Sequence, residues 1–341
     1  MRIRLALTVL AIAMPAALVA GQAGIGPAAP QDAVSAIVDA LHTYRVVGLG
    51  DTHGSERLSA FRLALLRDQR LSGVVDDVVV EFGASRYQDV IDRFVRGDAV
   101  ADADLRKVWE DTTAANPTWD RPVYEAVFRT IREVNTTRPA DRRMRVLLGD
   151  PPIDWDAVTT TDEYRALSLR RDSFAADLIE REVIARNRRA LAIFGDGHFQ
   201  ARTERPPRSF AARLAADGVS FLAIASAGGH IAEVQPDVST WHPPVIAFVR
   251  GTPIGAAEYD FFYGPRPPGP YWAANHRFED HLDAVLYLGP VSADTTSPLT
   301  FPRCSDAGYV AMRVRRMEIA GMRPRAGAPS IAARIAQDCR S

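Results

Sequence analysis

The chain has 341 residues, of which 47% are hydrophobic and 24% are charged, and its formal net charge is -1. This composition argues against an intrinsically disordered chain, and the nearly balanced charge gives no support to binding of nucleic acid or of an anionic membrane surface. We therefore expect a globular protein whose partners are determined by a local site.

The N-terminal segment has the pattern of a secretory signal peptide. Arg2 and Arg4 precede an apolar run over residues 5–19, which is followed by small residues, glycine and proline. We expect cleavage within residues 20–29, so that residues 1–29 comprise the signal peptide and a flexible leader. No cysteine adjoins this junction, and no later stretch reaches the about 20 apolar residues that a membrane helix needs. These features predict a secreted or periplasmic protein without a stable membrane anchor.

The sequence predicts a single α/β domain over residues 30–341. Short apolar runs typical of buried strands occupy residues 44–50, 78–82, 144–149, 190–195, 219–225, 245–249 and 284–288. Apolar residues recur at helical spacing over residues 34–41, 58–66, 87–94 and 123–134. Because the strands are continuously apolar, we expect a mainly parallel or mixed central sheet with helices on both faces.

Two further segments have distinct compositions. Residues 154–187 predict one long helix or two, with many charged side chains on a solvent-exposed face. Residues 251–275 are rich in proline, glycine and aromatic side chains, and they predict a long loop. The aromatic residues of this loop, from Tyr259 to Trp272, either pack against the core or serve a ligand.

Cys304 and Cys339 are the only cysteines in the sequence, and both lie in the predicted C-terminal extension. In an oxidising compartment such a pair favours one disulfide, which loop-closure reasoning values at about 3 kcal/mol. Two unpaired buried thiols are the alternative that the sequence leaves open.

Acidic residues and histidines follow four of the predicted strands. The first strand leads into Asp51-Thr52-His53-Gly54, the second ends at Glu81, the third ends at Asp150, and the fourth leads into Asp196-Gly197-His198. Ligands of open α/β sheets bind outside the carboxyl ends of the strands, so these residues are candidates for one cleft. Each motif alone is also typical of a turn or a helix cap. The two near-parallel settings, Gly-Asp-Thr-His and Gly-Asp-Gly-His, favour a shared functional site.

The same motifs resemble the erythromycin esterase and ChaN-like superfamily, a group that also contains the TraB and Tiki proteins with their Gly-x-x-His signature. The residues that carry the resemblance are Gly50-Asp51-Thr52-His53-Gly54, the Val-Val-Val-Glu strand ending at Glu81, Arg171-Asp172 on a helix, and Gly195-Asp196-Gly197-His198. They occur in the expected order within residues 31–230, and Leu286-Tyr287-Leu288-Gly289-Pro290 fits the pattern loosely. The resemblance implies an α/β fold of this superfamily.

The resemblance also implies a set of site residues. The first motif of the erythromycin esterases reads Gly-Glu-x-x-His-Gly, so His53 is similar to its histidine and Asp51 to its acid. Glu81 is similar to the acid of the second strand, His198 to the late histidine, and Arg62 to an arginine of that site. In supporting positions around these five we place Asp150, Asp172 and Asp196. The motif is one residue shorter here and has Asp at position 51, which matches the Gly-x-x-His branch better than the true esterases.

A mechanism follows from these residue types. His53, with an ordinary pKa of about 6.5, can take a proton from water when a carboxylate such as Glu81 orients its other ring nitrogen. His198 or Arg62 would then stabilise the oxyanion of a tetrahedral intermediate. The predicted activity is hydrolysis of an ester or amide bond in a small-molecule or peptide substrate. No Gly-x-Ser-x-Gly motif supports an acyl-enzyme route.

The sequence leaves three alternatives for a cofactor. The site acts without a cofactor, it holds a divalent metal, or it binds haem. His53, Glu81, His198 and Asp51 have the residue types that bind zinc, manganese or iron, and the resemblance to the Tiki metal-dependent proteases allows a metal. The resemblance to ChaN-like lipoproteins implicated in iron uptake allows a haem- or metal-binding protein instead of an enzyme.

Overall fold

The computed structural model describes residues 26–201, 209–226, 230–263, 276–324 and 327–339. Residues 1–25 of the predicted signal peptide lie outside these ranges. None of the helices within the described ranges combines the length and the apolar character that a membrane span requires.

In the described residues, eight strands form one mixed sheet in the order β1-β7-β8-β6-β2-β5-β3-β4. The strands are β1 Pro30–Asp32, β2 Val46–Gly50, β3 Asp77–Ala84, β4 Arg145–Asp150, β5 Ala190–Phe194, β6 Phe221–Ala225, β7 Val245–Phe248 and β8 Ala284–Tyr287. The six strands from β8 to β4 in this order are parallel, whereas β7 pairs antiparallel with both β8 and β1. The predicted fold class, a mainly parallel or mixed sheet in an α/β fold, is therefore confirmed.

Seven predicted strands are present, with ends that differ by one or two residues, and one strand was not predicted. Strand β1 lies where the leader was expected to end, and its three residues pair with residues 245–247 of β7. Three residues carry too little apolar periodicity to indicate a strand, so this pairing comes from the tertiary fold.

Helices cover both faces of the sheet. They are α1 Ala33–Thr43, α2 Glu56–Arg67, α3 Leu71–Val74, α4 Gln88–Arg96, α5 Asp102–Glu110, α6 Pro122–Thr136, α7 Thr161–Ser168, α8 Arg171–Ile179, α9 Phe210–Ala216, α10 Ile231–Val234, α11 Pro253–Ala256, α12 Tyr259–Tyr263, α13 Phe301–Cys304, α14 Ala307–Ile319 and α15 Ile331–Asp338. Val78 and Val80 pack in the core with α1 to α6, and Val79 between them packs in the core with α8 and α9. Alternate side chains of one strand thus point to opposite faces, which explains why the strands are continuously apolar.

The charged segment at residues 154–187 contains two helices, but its charges do not all face solvent. Helix α7 has no buried residue, as expected for a solvated helix. Helix α8 begins at Arg171, whose side chain is only 26% exposed and contacts acids at the sheet edge. The expectation of an exposed charged face is therefore wrong for the start of α8, because those charges have buried partners.

The segment at residues 251–275 is partly ordered into helices. Helices α11 and α12 occupy its described part, and Phe262 packs against Phe278 with ring centroids 4.7 Å apart. Tyr259 and Phe262 are buried in the core, and Phe261 and Tyr263 are partly buried and pack against it. Tyr271 and Trp272, which the prediction included, lie outside the described residues.

A disulfide joins the C-terminal helices to each other, and a buried ion pair connects them to the rest of the chain. Cys304 and Cys339 form the disulfide, with Cα atoms 6.0 Å apart, so the first of the two cysteine alternatives holds. A disulfide is typical of an oxidising compartment. Arg313 on α14 donates from Nε to Asp120 at 2.7 Å, and both side chains are 1% exposed. Asp120 directly follows Trp119, which contacts the site described below.

Replacing Arg313 with Ala tests this ion pair. The change leaves the Asp120 carboxylate buried without its cation, so we expect a loss of about 3–5 kcal/mol in the free energy of unfolding. Denaturant titration measures it. In the control Lys107→Ala, an exposed pair with Asp104 is removed, and we expect a loss below about 1 kcal/mol. Equal effects of the two changes would contradict the importance of the buried pair.

Candidate functional site

The four predicted strand-end acids lie at one edge of the sheet. Their strands are adjacent in the order β2-β5-β3-β4 and parallel, so their carboxyl ends meet. Asp51 directly follows β2, and Asp196 lies just beyond the end of β5. Asp150 is the last residue of β4, and Glu81 lies within β3. The β3–β4 register shifts between Val80 and Ala84, so Glu81 lies in an irregularity of the kind that re-aims side chains beside active sites.

Asp51 is the buried centre of the first half of the site. One of its oxygens accepts a hydrogen bond from Arg62 at 2.6 Å. The other oxygen accepts one from the Tyr124 hydroxyl at 3.1 Å and lies 3.2 Å from His53 Nδ1. The side chains of Asp51 and Arg62 are 1% and 0% exposed. The same Tyr124 hydroxyl accepts from the backbone N–H of Gly54, which fixes the turn that carries His53.

His53 is held on one side and open on the other. Its side chain is 43% exposed, and its ring packs edge-on against Trp119 with centroids 4.7 Å apart. Its second nitrogen, Nε2, has no hydrogen-bond partner within the part of the chain that the structure describes. A Cβ placed on Gly195 would lie 3.5 Å from this Nε2 and 3.5 Å from Glu81 Oε2. The absence of a side chain at Gly195 therefore lets His53 and Glu81 lie close to the backbone and to each other at this point.

Charges tune the first half of the site. Burial would raise the pKa of Asp51, but Arg62 and the hydrogen bond from His53 hold that pKa below its usual value. Burial would lower the pKa of His53, but its hydrogen bond to Asp51 and the charge of Glu81 raise that pKa above the usual value. His53 therefore loses its proton, and becomes neutral, at a higher pH than an ordinary histidine does.

Glu81 is the buried centre of the second half. Its Oε1 accepts a hydrogen bond from Arg171 and lies 3.2 Å from His198 Nε2, while its Oε2 accepts from the backbone N–H of Gly195 at 2.7 Å. Burial would raise the pKa of Glu81, but the charges of His198 and Arg171 outweigh it and hold that pKa far below its usual value. Glu81 is therefore a carboxylate at any ordinary pH.

His198 is clamped between two carboxylates. Its Nδ1 lies 2.8 Å from Asp172, and its Nε2 faces Glu81. Burial would lower the pKa of His198, but Asp172 and Glu81 raise it to about 10. His198 is accordingly an imidazolium at neutral pH, with both N–H groups already donated.

The other two strand-end acids, Asp150 and Asp196, accept hydrogen bonds from neighbouring loops. Asp150 accepts from the backbone and the hydroxyl of Thr113 at 2.6 Å each, and burial raises its pKa to about 6. Asp196 accepts from the Tyr263 hydroxyl at 2.8 Å and from the Ser226 backbone at 3.1 Å, and burial raises its pKa to about 6. Both acids hold neighbouring loops in place.

The donor set does not suit a divalent metal in this arrangement. Asp51 and Glu81 have their oxygens occupied by arginines, a tyrosine, histidines and a backbone N–H, and His198 uses both ring nitrogens. Among the described residues, no three histidine, cysteine or acidic side chains converge as metal ligands. Of the predicted metal candidates, Asp51, Glu81 and His198 would have to break these bonds to bind a metal.

The structure brings all of the predicted site residues together, but three of them make other contacts than expected. Asp51, rather than Glu81, contacts the Nδ1 of His53. Arg62 is fully buried behind Asp51, so it cannot reach an oxyanion. His198 directs both ring nitrogens to Asp172 and Glu81, so it has no N–H group left for an oxyanion. The nearest cation to Glu81 is Arg171, which the sequence indicated only as part of a motif.

Tyr124 and Trp119 were not predicted as site residues. Tyr124 lies in α6 and Trp119 lies in the short segment before it. The sequence there is typical of an ordinary helix, and no recognisable motif surrounds either residue. Their roles depend on how α6 packs against the turn at His53, which is a tertiary feature.

No family model and no curated protein matches the chain. Among solved structures, a Bacillus cereus protein is 11% identical with a TM-score of 0.47, covering 80% of this chain and 96% of that one. The type III effector HopBA1 is 17% identical with a TM-score of 0.37, covering 60% and 90%. ChaN of Campylobacter jejuni, a protein that binds haem cofacially, is 13% identical with a TM-score of 0.36, covering 56% and 84%. These similarities are too low to assign a family.

Proposed function

We propose that this chain is an exported hydrolase of the erythromycin esterase and ChaN-like superfamily that cleaves an ester or amide by activating water at His53. The observation that carries the proposal is the Asp51–His53 pair, fixed from behind by buried groups while the outer ring nitrogen stays open. Export rests on the N-terminal signal pattern and is supported by the disulfide.

The tautomer of His53 follows from its partner. A carboxylate only accepts hydrogen bonds, so the proton of the neutral ring lies on Nδ1, toward Asp51. Nε2 then carries the lone pair and faces the open side. As Nε2 takes up a proton, the developing positive charge is stabilised by Asp51 and Glu81.

The attacking water has a defined place in this proposal. It lies between Nε2 of His53 and Oε2 of Glu81, which are both 3.5 Å from the position of a Cβ on Gly195. A water there can donate one proton toward each group, which directs an oxygen lone pair toward the substrate carbonyl. Glu81 is ionised, so it orients this water and leaves the proton transfer to His53.

The balanced reaction has two steps. Water attacks the carbonyl carbon while His53 Nε2 removes its proton, giving a tetrahedral oxyanion. The C–O or C–N bond then breaks, the same proton passes from Nε2 to the leaving oxygen or nitrogen, and the acid and the alcohol or amine depart. Arg171, with 26% of its side chain exposed, is the cation placed to stabilise the oxyanion, since His198 has already donated both N–H groups.

His53→Ala removes the proposed base. We expect hydrolysis to fall by at least about 100-fold, because general-base catalysis contributes on the order of 10²–10⁴, while circular dichroism and the unfolding midpoint stay close to native for this exposed side chain. The control is His42→Ala, an exposed histidine on α1 at the opposite edge of the sheet. Retained turnover in His53→Ala would refute the assignment of the base.

Gly195→Ala crowds the proposed water position and the ring of His53. The backbone at Gly195 has φ -56° and ψ 144°, which alanine adopts without strain. The new Cβ would lie 3.1 Å from His53 Cε1, so we expect an order-of-magnitude or larger loss of kcat with little change in the unfolding midpoint. Gly197→Ala is the matched control, since a Cβ there meets nothing within 4 Å. Equal activities of the two variants would argue against a water in this space.

Haem binding is a second candidate function, and one observation favours it. An imidazole that is 43% exposed, with Nε2 uncommitted among the described residues and an aromatic ring beside it, can also serve as an axial ligand. Titration of the purified protein with haemin separates the two functions. A stoichiometric Soret shift that His53→Ala removes would support haem binding, whereas an unchanged spectrum would favour hydrolysis.

A further inference from the structure

A cavity of about 240 Å³ lies at the carboxyl ends of β2, β6 and β8, next to the candidate site. Two sequence neighbours link it to the site. Thr52 lines the cavity and directly precedes His53, and Asp196 lines the cavity and directly follows Gly195, which faces His53. The cavity therefore borders the two turns that carry His53 and Gly195.

The hydrocarbon of the cavity wall comes from five side chains. They are Leu58 from α2, Phe262 from α12, Leu286 from β8, and Leu288 and Val291 from the loop that follows β8. Leu58 and Leu286 are each 2% exposed and belong to the core, whereas Val291 is 55% exposed and forms the outer part of the wall. The cavity thus runs from solvent to the core along apolar surface.

The charged members of the wall near Val291 are bonded within the protein. Nη1 of Arg57 donates to the backbone carbonyls of Leu288 at 3.1 Å and Pro290 at 2.9 Å. Asp294 accepts from the Ser55 hydroxyl at 2.5 Å and from the Arg57 backbone at 3.2 Å. A polar ligand would have to compete with these bonds, so a charged group gains little binding free energy at this wall.

The polar members near the site are committed as well. Asp196 accepts from Tyr263 and Ser226, and the Thr52 hydroxyl lies 2.9 Å from the Ser226 hydroxyl. An apolar group that displaces water from this cavity therefore breaks none of these bonds and gains the contact of the five hydrocarbon side chains.

We propose that this cavity binds an apolar group on one side of the scissile bond, so that the preferred substrates are esters or amides of a short aliphatic or aromatic acid, alcohol or amine. The inference rests on the proposed function and adds the substrate class. A volume of about 240 Å³ is below the roughly 300–1,000 Å³ of a whole-ligand pocket, which suits a substituent of a larger molecule.

Chain-length series test the proposal. We would measure kcat/KM for 4-nitrophenyl esters from acetate to octanoate and for alkyl acetates from ethyl to hexyl. Burial of a methylene is worth about 0.8 kcal/mol, so kcat/KM should rise about fourfold per methylene in one of the two series until the cavity is full. A rise in the first series assigns the acid side, and a rise in the second assigns the alcohol side. Absence of any rise in both series overturns the proposal.

Val291→Asp places a charge in the outer wall without disturbing the core. We expect it to flatten the chain-length dependence, whereas Met322→Asp, at a 36% exposed residue after α14, leaves that dependence as in the native protein. A native slope in Val291→Asp would count against the pocket.

A binding measurement separates this inference from the proposed function. Calorimetric titration with butanoate, hexanoate and octanoate and with the matching alcohols requires no turnover, and native affinity should rise with chain length in one set and lose that rise in Val291→Asp. If no ester is hydrolysed but this rise is seen, the pocket stands and the hydrolase proposal fails. If esters are hydrolysed through His53 and neither turnover nor binding depends on chain length, the hydrolase proposal stands and the pocket fails.

Discussion

The buried carboxylate of Asp51 is the group on which the geometry of the site depends. A charge that is 1% exposed is costly unless it is paired, and here Arg62 from α2 and Tyr124 from α6 supply the compensating bonds. Because those helices are themselves fixed in the core, the acid has a single position. His53 is then oriented by a buried group with fixed partners, so the geometry of the proposed base is established when the chain folds.

The second half of the site has the opposite electrostatic character. Glu81 is surrounded by Arg171, by the imidazolium of His198 and by a backbone N–H, and Asp150 and Asp172 hold those cations in turn. This alternation of charges pairs the buried groups at the edge of the sheet and places positive charge beside Gly195. The open nitrogen of His53 and the cationic network thus lie on two sides of Gly195, and the proposed hydrolysis depends on this arrangement.

The sequence predicts those features of the fold and of the site that short stretches of residues determine. Continuous apolar strands indicate a sheet covered on both faces, and the acids and histidines after them indicate the edge at which they meet. Contacts that depend on packing cannot be predicted in this way. The partner of His53 Nδ1 is Asp51 because the turn after β2 folds back. Arg62 is buried because α2 lies behind that turn. Trp119 and Tyr124 belong to the site only through the packing of α6. Strand β1 is likewise formed by pairing with β7.

The pKa of His53 tests the central claim most directly. Proton NMR can follow its Hε1 resonance against pH, assigned by comparison with His53→Gln, in the native protein and in Asp51→Asn. The raised pKa predicts a native midpoint above 6.5, with the ring charged below it and available as a base above it. The Asp51 charge and its hydrogen bond both raise the pKa of His53, so their loss should lower the midpoint in the variant, where Glu81 still acts. Equal midpoints in the two proteins would contradict the account.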